Sequence, residues 1–241
     1  MPDPATPRAG TSALNGRLWG GRAADWAEGQ EHQFQAGYAA VFAQVGLAAG
    51  QSLCDVGCGA GLAAQMAAAI GARVSGLDAS GPPLEIARSR VPAGAFRQGE
   101  MEELPFADGT FDVVAWFNSF QYAAEPAKAL GEARRVARPG GKVAALVWGR
   151  PEGMPAAALV AALRPLLPPP PPGAPGPFAL SGEEALRSLA AAAGLKAVTV
   201  HDVDSPWIYR DRAHGAALDP FVQPDGRYRV GATLRWVTGE A

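Results

Sequence analysis

Along the chain, short apolar runs alternate with longer stretches in which apolar residues recur every three or four positions. That spacing predicts a helix over Glu31–Val45, where Phe34, Tyr38, Val41, Phe42 and Val45 share a face and Gly46 supplies the stop. A strand follows at Gln51–Val56. Leu62, Met66, Ala69 and Ile70 then mark one face of a helix closed by Gly71. Arg73–Leu77 reads as a second strand ending at Asp78. Ser80 as cap, with Pro82 and Pro83 in the first turn, opens another helix. Ala95–Gln98 and Phe111–Phe117 read as strands three and four, the latter almost wholly apolar, as a strand covered on both faces should be. Pro126–Ala137 is helical, stopped by Arg138-Pro139-Gly140-Gly141, and Lys142–Trp148 is a fifth strand. Repeated strand–helix–strand units predict an α/β protein, a parallel sheet with helices on both faces.

The pattern changes after Trp148. A helix near Pro155–Leu167 runs into consecutive prolines, which predicts an extended Pro-rich linker over 168–177. Ser181-Gly182-Glu183-Glu184 reads as a capping box for a helix carrying Leu186 and Leu189 and ended by Gly194. Leu195–Val203 is a strand, and Arg227–Val237 a last one, entered through the turn Pro224-Asp225-Gly226. Residues 1–16, rich in Pro, Gly, Ala and Thr, predict a mobile tail. Residues 17–241 then form a single domain, with an N-terminal helical cap at 17–48, a core at 49–150 and a C-terminal part of the sheet at 178–241.

Composition narrows the class. At 241 residues and 48 % hydrophobic, the chain can bury a sizeable core. No segment approaches the roughly 20 apolar residues of a membrane span, and Met1–Arg8 has no apolar signal core, so no membrane span and a cytoplasmic location are expected. With 21 basic against 23 acidic residues, and the densest basic cluster (Arg134, Arg135, Arg138) on a predicted solvated helix face, nucleic acid is not expected as a partner. Cys54 and Cys58 are too few for a structural zinc site and read as reduced packing residues; no metal is expected.

The candidate chemistry lies at Leu53–Gly61. An apolar run ends in Asp55, breaks into Gly57-Cys58-Gly59-Ala60-Gly61, and gives way to a helical pattern. This is a strand delivering a glycine loop to a helix N-terminus, where bare backbone can approach a ligand. Dinucleotide folds favour Gly-x-Gly-x-x-Gly, with a pyrophosphate on the helix N-terminus. Here the third glycine comes one residue early, and Asp55 would repel a pyrophosphate but attract a cationic amino-acid ligand. Asp78 stands about 20 residues further on, where a carboxylate can accept from both hydroxyls of a ribose.

Four stretches in order, Asp55-Val56-Gly57-Cys58-Gly59-Ala60-Gly61, Gly76-Leu77-Asp78-Ala79-Ser80, Leu104-Pro105-Phe106 with Phe111-Asp112-Val113-Val114, and Arg138-Pro139-Gly140-Gly141, resemble the signature of class I S-adenosylmethionine-dependent methyltransferases. The nearest subgroup is the small-molecule one typified by the ubiquinone/menaquinone-biosynthesis enzymes. The resemblance covers residues 17–150 well and 181–241 more loosely. It implies a Rossmann-like three-layer sandwich, with a mostly parallel seven-stranded sheet, an antiparallel last strand and an N-terminal helical cap. It further implies 49–150 as the cofactor-binding core, S-adenosyl-L-methionine as cofactor, S-adenosyl-L-homocysteine as product, and methyl transfer to O, N or C of a small-molecule acceptor. A monomer or homodimer is expected. The rival readings are a non-catalytic S-adenosylmethionine-binding protein and an NAD-dependent oxidoreductase.

By the same resemblance, Gly57, Gly59 and Gly61 admit the methionine part of the cofactor, with Cys58 between them and Asp55 supporting that end. Asp78 holds the ribose and Ala79 the adenine edge. Glu100 and Met101 stand where the family contacts the adenine, although Glu100 is one methylene longer than the usual Asp. Phe117 and Asn118 line the substrate side, and Trp19 and Trp26 cover the cofactor. His32, on the capping helix, and Tyr122 are the candidates for a general base. Trp26, Trp148, Phe120, Tyr122 and Trp207 are candidates for an aromatic substrate wall. His201 reads as structural, His214 as exposed, Asp112 as a turn residue, and Glu102 with Glu103 as a solvated charge run. Asn118-Ser119-Phe120-Gln121 stands where enzymes that methylate DNA-base amino groups carry Asn/Asp-Pro-Pro-aromatic, which argues against that chemistry. The connection Arg210–Pro220 is shorter than the family's helical insertion, which implies a reduced substrate lid.

Overall fold

A computed structural model describes residues 12–163, 176–210 and 215–241. Its strands are β1 (Ser52–Val56), β2 (Arg73–Asp78), β3 (Ala95–Gln98), β4 (Phe111–Phe117), β5 (Ala137–Trp148), β6 (Lys196–Asp204), β7 (Trp207–Tyr209), β8 (Tyr228–Val230) and β9 (Thr233–Glu240). Seven of them form one sheet in the order β3-β2-β1-β4-β5-β9-β6. The first five pair in parallel, and β9 runs antiparallel between β5 and β6. The architecture is the Rossmann-like one implied by the sequence.

The apolar alternation of β4 shows why the sheet has two covered faces. Val113, Ala115 and Phe117 enter one core, while Val114 and Trp116 enter the other. The first core packs under α3 (Gln35–Val45), α4 (Leu62–Ile70), α5 (Gly81–Arg90) and α7 (Pro155–Leu163); the second lies under α6 (Pro126–Val136) and α8 (Glu183–Ala192). The chain moves outward from β1 through β2 to β3, then returns to β4 on β1's other side. That reversal opens a crevice at the C-terminal ends of β1 and β4, where open α/β sheets bind ligands.

Ahead of β1, the chain folds over this crevice through α1 (Ser12–Gly20), α2 (Ala23–Asp25), a wide π-helical turn at Trp26–Gln30 and a 3-10 turn at Glu31–Phe34 that leads into α3. The buried Gln33 fixes this segment from behind. Its side-chain amide donates to the Ile208 carbonyl at 3.0 Å and accepts from the Ile208 N–H at 2.7 Å, while Ser205 Oγ donates to the Gln33 carbonyl at 2.7 Å. One side chain thus acts as an extra strand partner for β7.

Several local expectations change. Helix α1 begins at Ser12, inside the expected tail; residues 1–11, 164–167 at the end of the helix expected over Pro155–Leu167, and 168–175 of the expected Pro-rich linker lie outside the described residues, as does His214. Ser80 does precede α5 in extended conformation, but its hydroxyl makes no cap and is buried with no hydrogen-bond partner among the described residues. The expected capping box at 181–184 does not form either: Gly182 is the N-cap of α8, with no side chain to contribute. The expected last strand, Arg227–Val237, is two. Tyr228–Val230 pairs with β7 in a small separate sheet, and Gly231-Ala232 intervene before β9. Their carbonyls accept instead from Ala156 and Ser205, which turns the chain out of one sheet and into the other. The presumed stop at Arg138–Gly141 is already strand, because α6 ends at Val136 and β5 begins at Ala137 with a register shift opposite Phe111 and Val113.

Candidate cofactor site

Strand β1 delivers Asp55 to the crevice, and the next residues turn sharply. Gly57 (φ +70°) and Gly59 (φ +52°) hold left-handed backbone that other residues rarely adopt. The N–H groups of Gly57 and Cys58 both donate to the Leu77 carbonyl, at 2.7 and 2.9 Å, which ties the loop to β2. From the end of β2, Asp78 Oδ2 accepts the Gly59 N–H at 2.8 Å and Oδ1 accepts the Ser80 N–H at 2.9 Å. After β4, Ser119 Oγ donates to the Val56 carbonyl at 2.6 Å. A Cβ on Gly57 would fall 2.5 Å from that of Ser119, whereas one on Gly59 would meet nothing. Gly57 is therefore needed for packing, and Gly59 leaves open room beside the crevice.

These elements enclose, with the N-terminal segment, a cavity of about 800 Å³ including the open space at its mouth. The structure brings Trp26, Asp55, Gly57, Cys58, Gly59, Asp78, Ala79, Met101, Phe117, Asn118 and Tyr122 together on its wall. Trp19 joins them, edge-on to both Trp26 (5.5 Å) and Tyr122 (5.7 Å).

Other expected residues fall elsewhere. Gly61 is off the wall; with φ +84°, a Cβ there would lie 2.8 Å from Ala87 Cβ, so this glycine lets α4 and α5 pack closely. Gly61→Ala is accordingly expected to destabilise the fold by about 1–3 kcal/mol, measured by denaturant unfolding, with ligand contacts untouched. Glu100 also points away: Oε2 accepts from the Ser12 N–H and Oε1 from that of Met101, so it fixes a turn and the start of α1. His32 is exposed and is not on the cavity wall. Trp148 and Trp207 pack on each other at 5.5 Å in the first core, and Phe120 on Trp116 at 5.1 Å in the second. His201 stacks on Trp236 and bonds Thr199. Asp112 accepts from the Ser52 N–H and hydroxyl and pairs with Arg138. Glu102 is not solvated but buried, accepting the Glu125 N–H at 2.8 Å.

One lining residue has no signal in the glycine motif. Glu31, 3 % exposed, sends Oε1 to the Leu62 N–H (3.1 Å) at the start of α4 and Oε2 to Arg90 Nη1 (2.5 Å). Gly61 has no side chain to cap α4, so a carboxylate from a distant segment supplies the cap. Between Trp26 and Phe34 the sequence is mostly polar and carries a second acid, Glu28, so no local pattern singles out Glu31.

The electrostatics are one-sided. Asp55 is fully buried, and among the described residues neither of its oxygens has a hydrogen-bond partner. Burial, then the charges of Asp78 and Glu31, push its pKa well above the usual carboxylate range; only the Ala64 N–H pulls the other way, from outside hydrogen-bond geometry. Asp78 is also raised by burial, against the pull of its backbone donors. Burial pushes the Cys58 thiol up, with Asp55 and Asp78 adding, and raises Cys54 as well, so both are inert packing groups. Burial likewise raises Tyr122 and, with Glu31 and Asp55 adding, Tyr38. The cavity is thus acidic at the glycine loop and aromatic toward its mouth. Among the described residues no Lys or Arg lines it, and no group of His, Cys, Asp and Glu could hold a metal ion.

Residues 54–145 match a family described as a methyltransferase domain. The chain is 37 % identical over 107 residues to a demethylmenaquinone methyltransferase from Renibacterium salmoninarum, a match covering 44 % of this chain and 45 % of that protein. It is 39 % identical over 95 residues to a malonyl-[acyl-carrier protein] O-methyltransferase from Erwinia billingiae, covering 39 % and 38 %. The chain thus matches less than half the length of these curated relatives. Among solved structures, the fold is like that of the YcgJ protein of Bacillus subtilis (TM-score 0.60, 20 % identity, 88 % of this chain and 98 % of that one). It is also like that of an S-adenosylmethionine-dependent methyltransferase from Thermotoga maritima (TM-score 0.63, 17 % identity, 93 % and 98 %). The family match and the solved structures agree on the fold and on the segment that holds the glycine loop. The methyltransferase-domain match therefore covers the part of the chain from β1 to β5 that carries the glycine loop.

Proposed function

We propose that the protein transfers the methyl group of S-adenosylmethionine to an O, N or C atom of a small-molecule acceptor. The observation that carries this reading is the acidic floor of the cavity. A dinucleotide's pyrophosphate would have to lie on the N-terminus of α4, but the Glu31 carboxylate already takes the Leu62 N–H there and Asp55 stands unpaired close by. Anionic phosphate is repelled from such a place, and a ligand bearing positive charge beside a ribose suits it.

The residues present fit that cofactor. Asp55, buried without a partner, offers its charge to the cationic amino-acid end, and the open space at Gly59 admits it. Asp78 keeps lone pairs free beyond the two backbone N–H groups it accepts, enough for the ribose hydroxyls. Ala79 and Met101 would border the adenine, while Phe117, Asn118, Trp26 and Trp19 would face the reacting end. When bound, the cofactor supplies an electrophilic methyl group on a sulfonium. The protein's part is then alignment and exclusion of water, and alignment alone can contribute about 7–11 kcal/mol. Tyr122, with its pKa raised by burial, stays protonated at neutral pH and serves as a hydrogen-bond donor to the acceptor, not as a base.

The relatives are named for two different acceptors, so neither transfers to this chain. The reading treats the N-terminal cap (17–48), the core (49–150) and the C-terminal part (178–241) as one domain. It places a cytoplasmic monomer or homodimer with no nucleic-acid partner. Among the described residues no helix is long and apolar enough to cross a membrane. The test is a thermal-shift panel of S-adenosylmethionine, S-adenosylhomocysteine and NAD. The first two are expected to stabilise the chain by about 2.7 kcal/mol at 100 times Kd, and NAD not at all. A shift with NAD alone overturns the reading. Cofactor binding without transfer to any acceptor in a small-molecule panel would favour a binding protein over an enzyme.

A further inference from the structure

The Glu31–Arg90 pair joins three segments: the covering turn, the glycine loop and α5. Arg90 sits at the C-terminal end of α5, where a cation is favoured. Its Nη1 donates to Glu31 at 2.5 Å and to the carbonyl of Ala60, inside the glycine loop, at 3.0 Å; its Nη2 donates to the carbonyl of Ala27, in the π-helical turn, at 3.4 Å. Glu31 in turn holds the first N–H of α4. The guanidinium therefore bridges the covering segment and the loop beneath it, and its carboxylate partner forms part of the cavity wall. A lysine could hold the carboxylate but not both carbonyls, because it lacks the planar fork.

Both ends of the bridge lie on parts the cavity depends on. The covering segment contributes Asn15, Trp19, Ala23, Trp26 and Glu31 to the wall, and the loop contributes Gly57, Cys58 and Gly59. Gln33 pins the same segment to β7 from the far side, so the cover has a fixed hinge at Gln33 and Ser205 and a charged catch at Glu31.

We infer that Glu31 and Arg90 are a pair of positioning residues, a latch that holds the N-terminal cover shut on the glycine loop and retains the cofactor beneath it. The inference rests on the cofactor reading above. It predicts an effect on release more than on capture, since an open cover exposes the bound ligand without removing the groups that recognise it.

The test uses the full chain as wild type, Arg90→Lys, Arg90→Met and the double variant Glu31→Gln/Arg90→Met, which leaves no buried unpaired charge and so guards against simple misfolding. S-adenosylhomocysteine association and dissociation rates are measured by stopped flow, and amide exchange is followed with and without that ligand. In wild type the ligand should slow exchange over residues 23–34 and at the glycine loop together. Arg90→Met and the double variant should release the ligand about tenfold faster, with association changed less than twofold, and lose protection over 23–34 while keeping it at the end of β2. Arg90→Lys should fall between. Wild-type release rates and full protection of 23–34 in the folded double variant overturn the latch and leave the cofactor reading standing. A wild-type chain that binds no S-adenosylhomocysteine overturns the cofactor reading and the latch with it.

Discussion

Asp78→Ala is expected to weaken binding of both S-adenosylmethionine and S-adenosylhomocysteine by about 100-fold or more, read by titration calorimetry. The reasoning starts from what the carboxylate already does. Each oxygen accepts one backbone N–H, from Gly59 and from Ser80, so the side chain both shapes the loop and presents its remaining lone pairs to the crevice. Hydrogen bonds to a charged group contribute about 1.5–3 kcal/mol each, and every 1.4 kcal/mol is a factor of ten. Losing two ribose hydroxyl contacts and loosening the Gly59 anchor together reach 100-fold without any further assumption. Asp78→Asn keeps one acceptor oxygen and should lose only about tenfold. The effect should be equal for the two ligands, because the ribose is common to them. Because burial raises the Asp78 pKa, wild-type affinity should also fall as pH drops through that raised value, and Asp78→Asn should lose this contribution to the acid limb while keeping the one from Asp55. An Asp78→Ala chain that binds within threefold of wild type would falsify the ribose role.

The sheet was legible in the sequence because its signals are local and repeated. Phe111–Phe117 is apolar at nearly every position and is fully buried, and the spacing of Asp55, the glycines and Asp78 places each at the end of a strand. The errors arise where one local pattern serves two outcomes. A glycine that lets a ligand approach and a glycine that lets two helices touch look the same in sequence, and at Gly61 it is Ala87 that occupies the space a Cβ would need. A Ser before a helix reads as a cap, yet the hydroxyl of Ser80 is buried and unbonded. Glu31 shows the converse difficulty. Its role depends on Leu62 and Arg90, which are far away in sequence and reach it only once the sheet has formed. Similarly, Arg227–Val237 has the alternation of one strand, but the Gly231 and Ala232 carbonyls are claimed by Ala156 and Ser205. No periodicity can report that competition.

Asp55→Asn should make the empty protein more stable while making it a poorer binder, and the sign of both effects follows from burial. In the unfolded chain Asp55 ionises near 3.9. In the folded chain desolvation, reinforced by Asp78 and Glu31, raises that value well above. Between the two values the native state holds a proton that the unfolded state has released. Stability therefore falls as pH rises through that window, and the full penalty persists above it. Asn carries no charge to desolvate, so the variant should lose this part of the pH slope. It should gain about 1–2 kcal/mol at pH 8, somewhat less than the full cost of a buried unpaired group because the new amide also lacks partners. Binding should move the other way, by about 100-fold, since the carboxylate's unmet interaction is what a cationic ligand satisfies. Denaturant unfolding at pH 5, 7 and 8, paired with calorimetric titration of S-adenosylmethionine, separates these effects. A structural aspartate would show a loss of stability on substitution, or parallel pH slopes in the two proteins. Opposite changes in stability and affinity are the signature of a charge kept in the fold for its ligand.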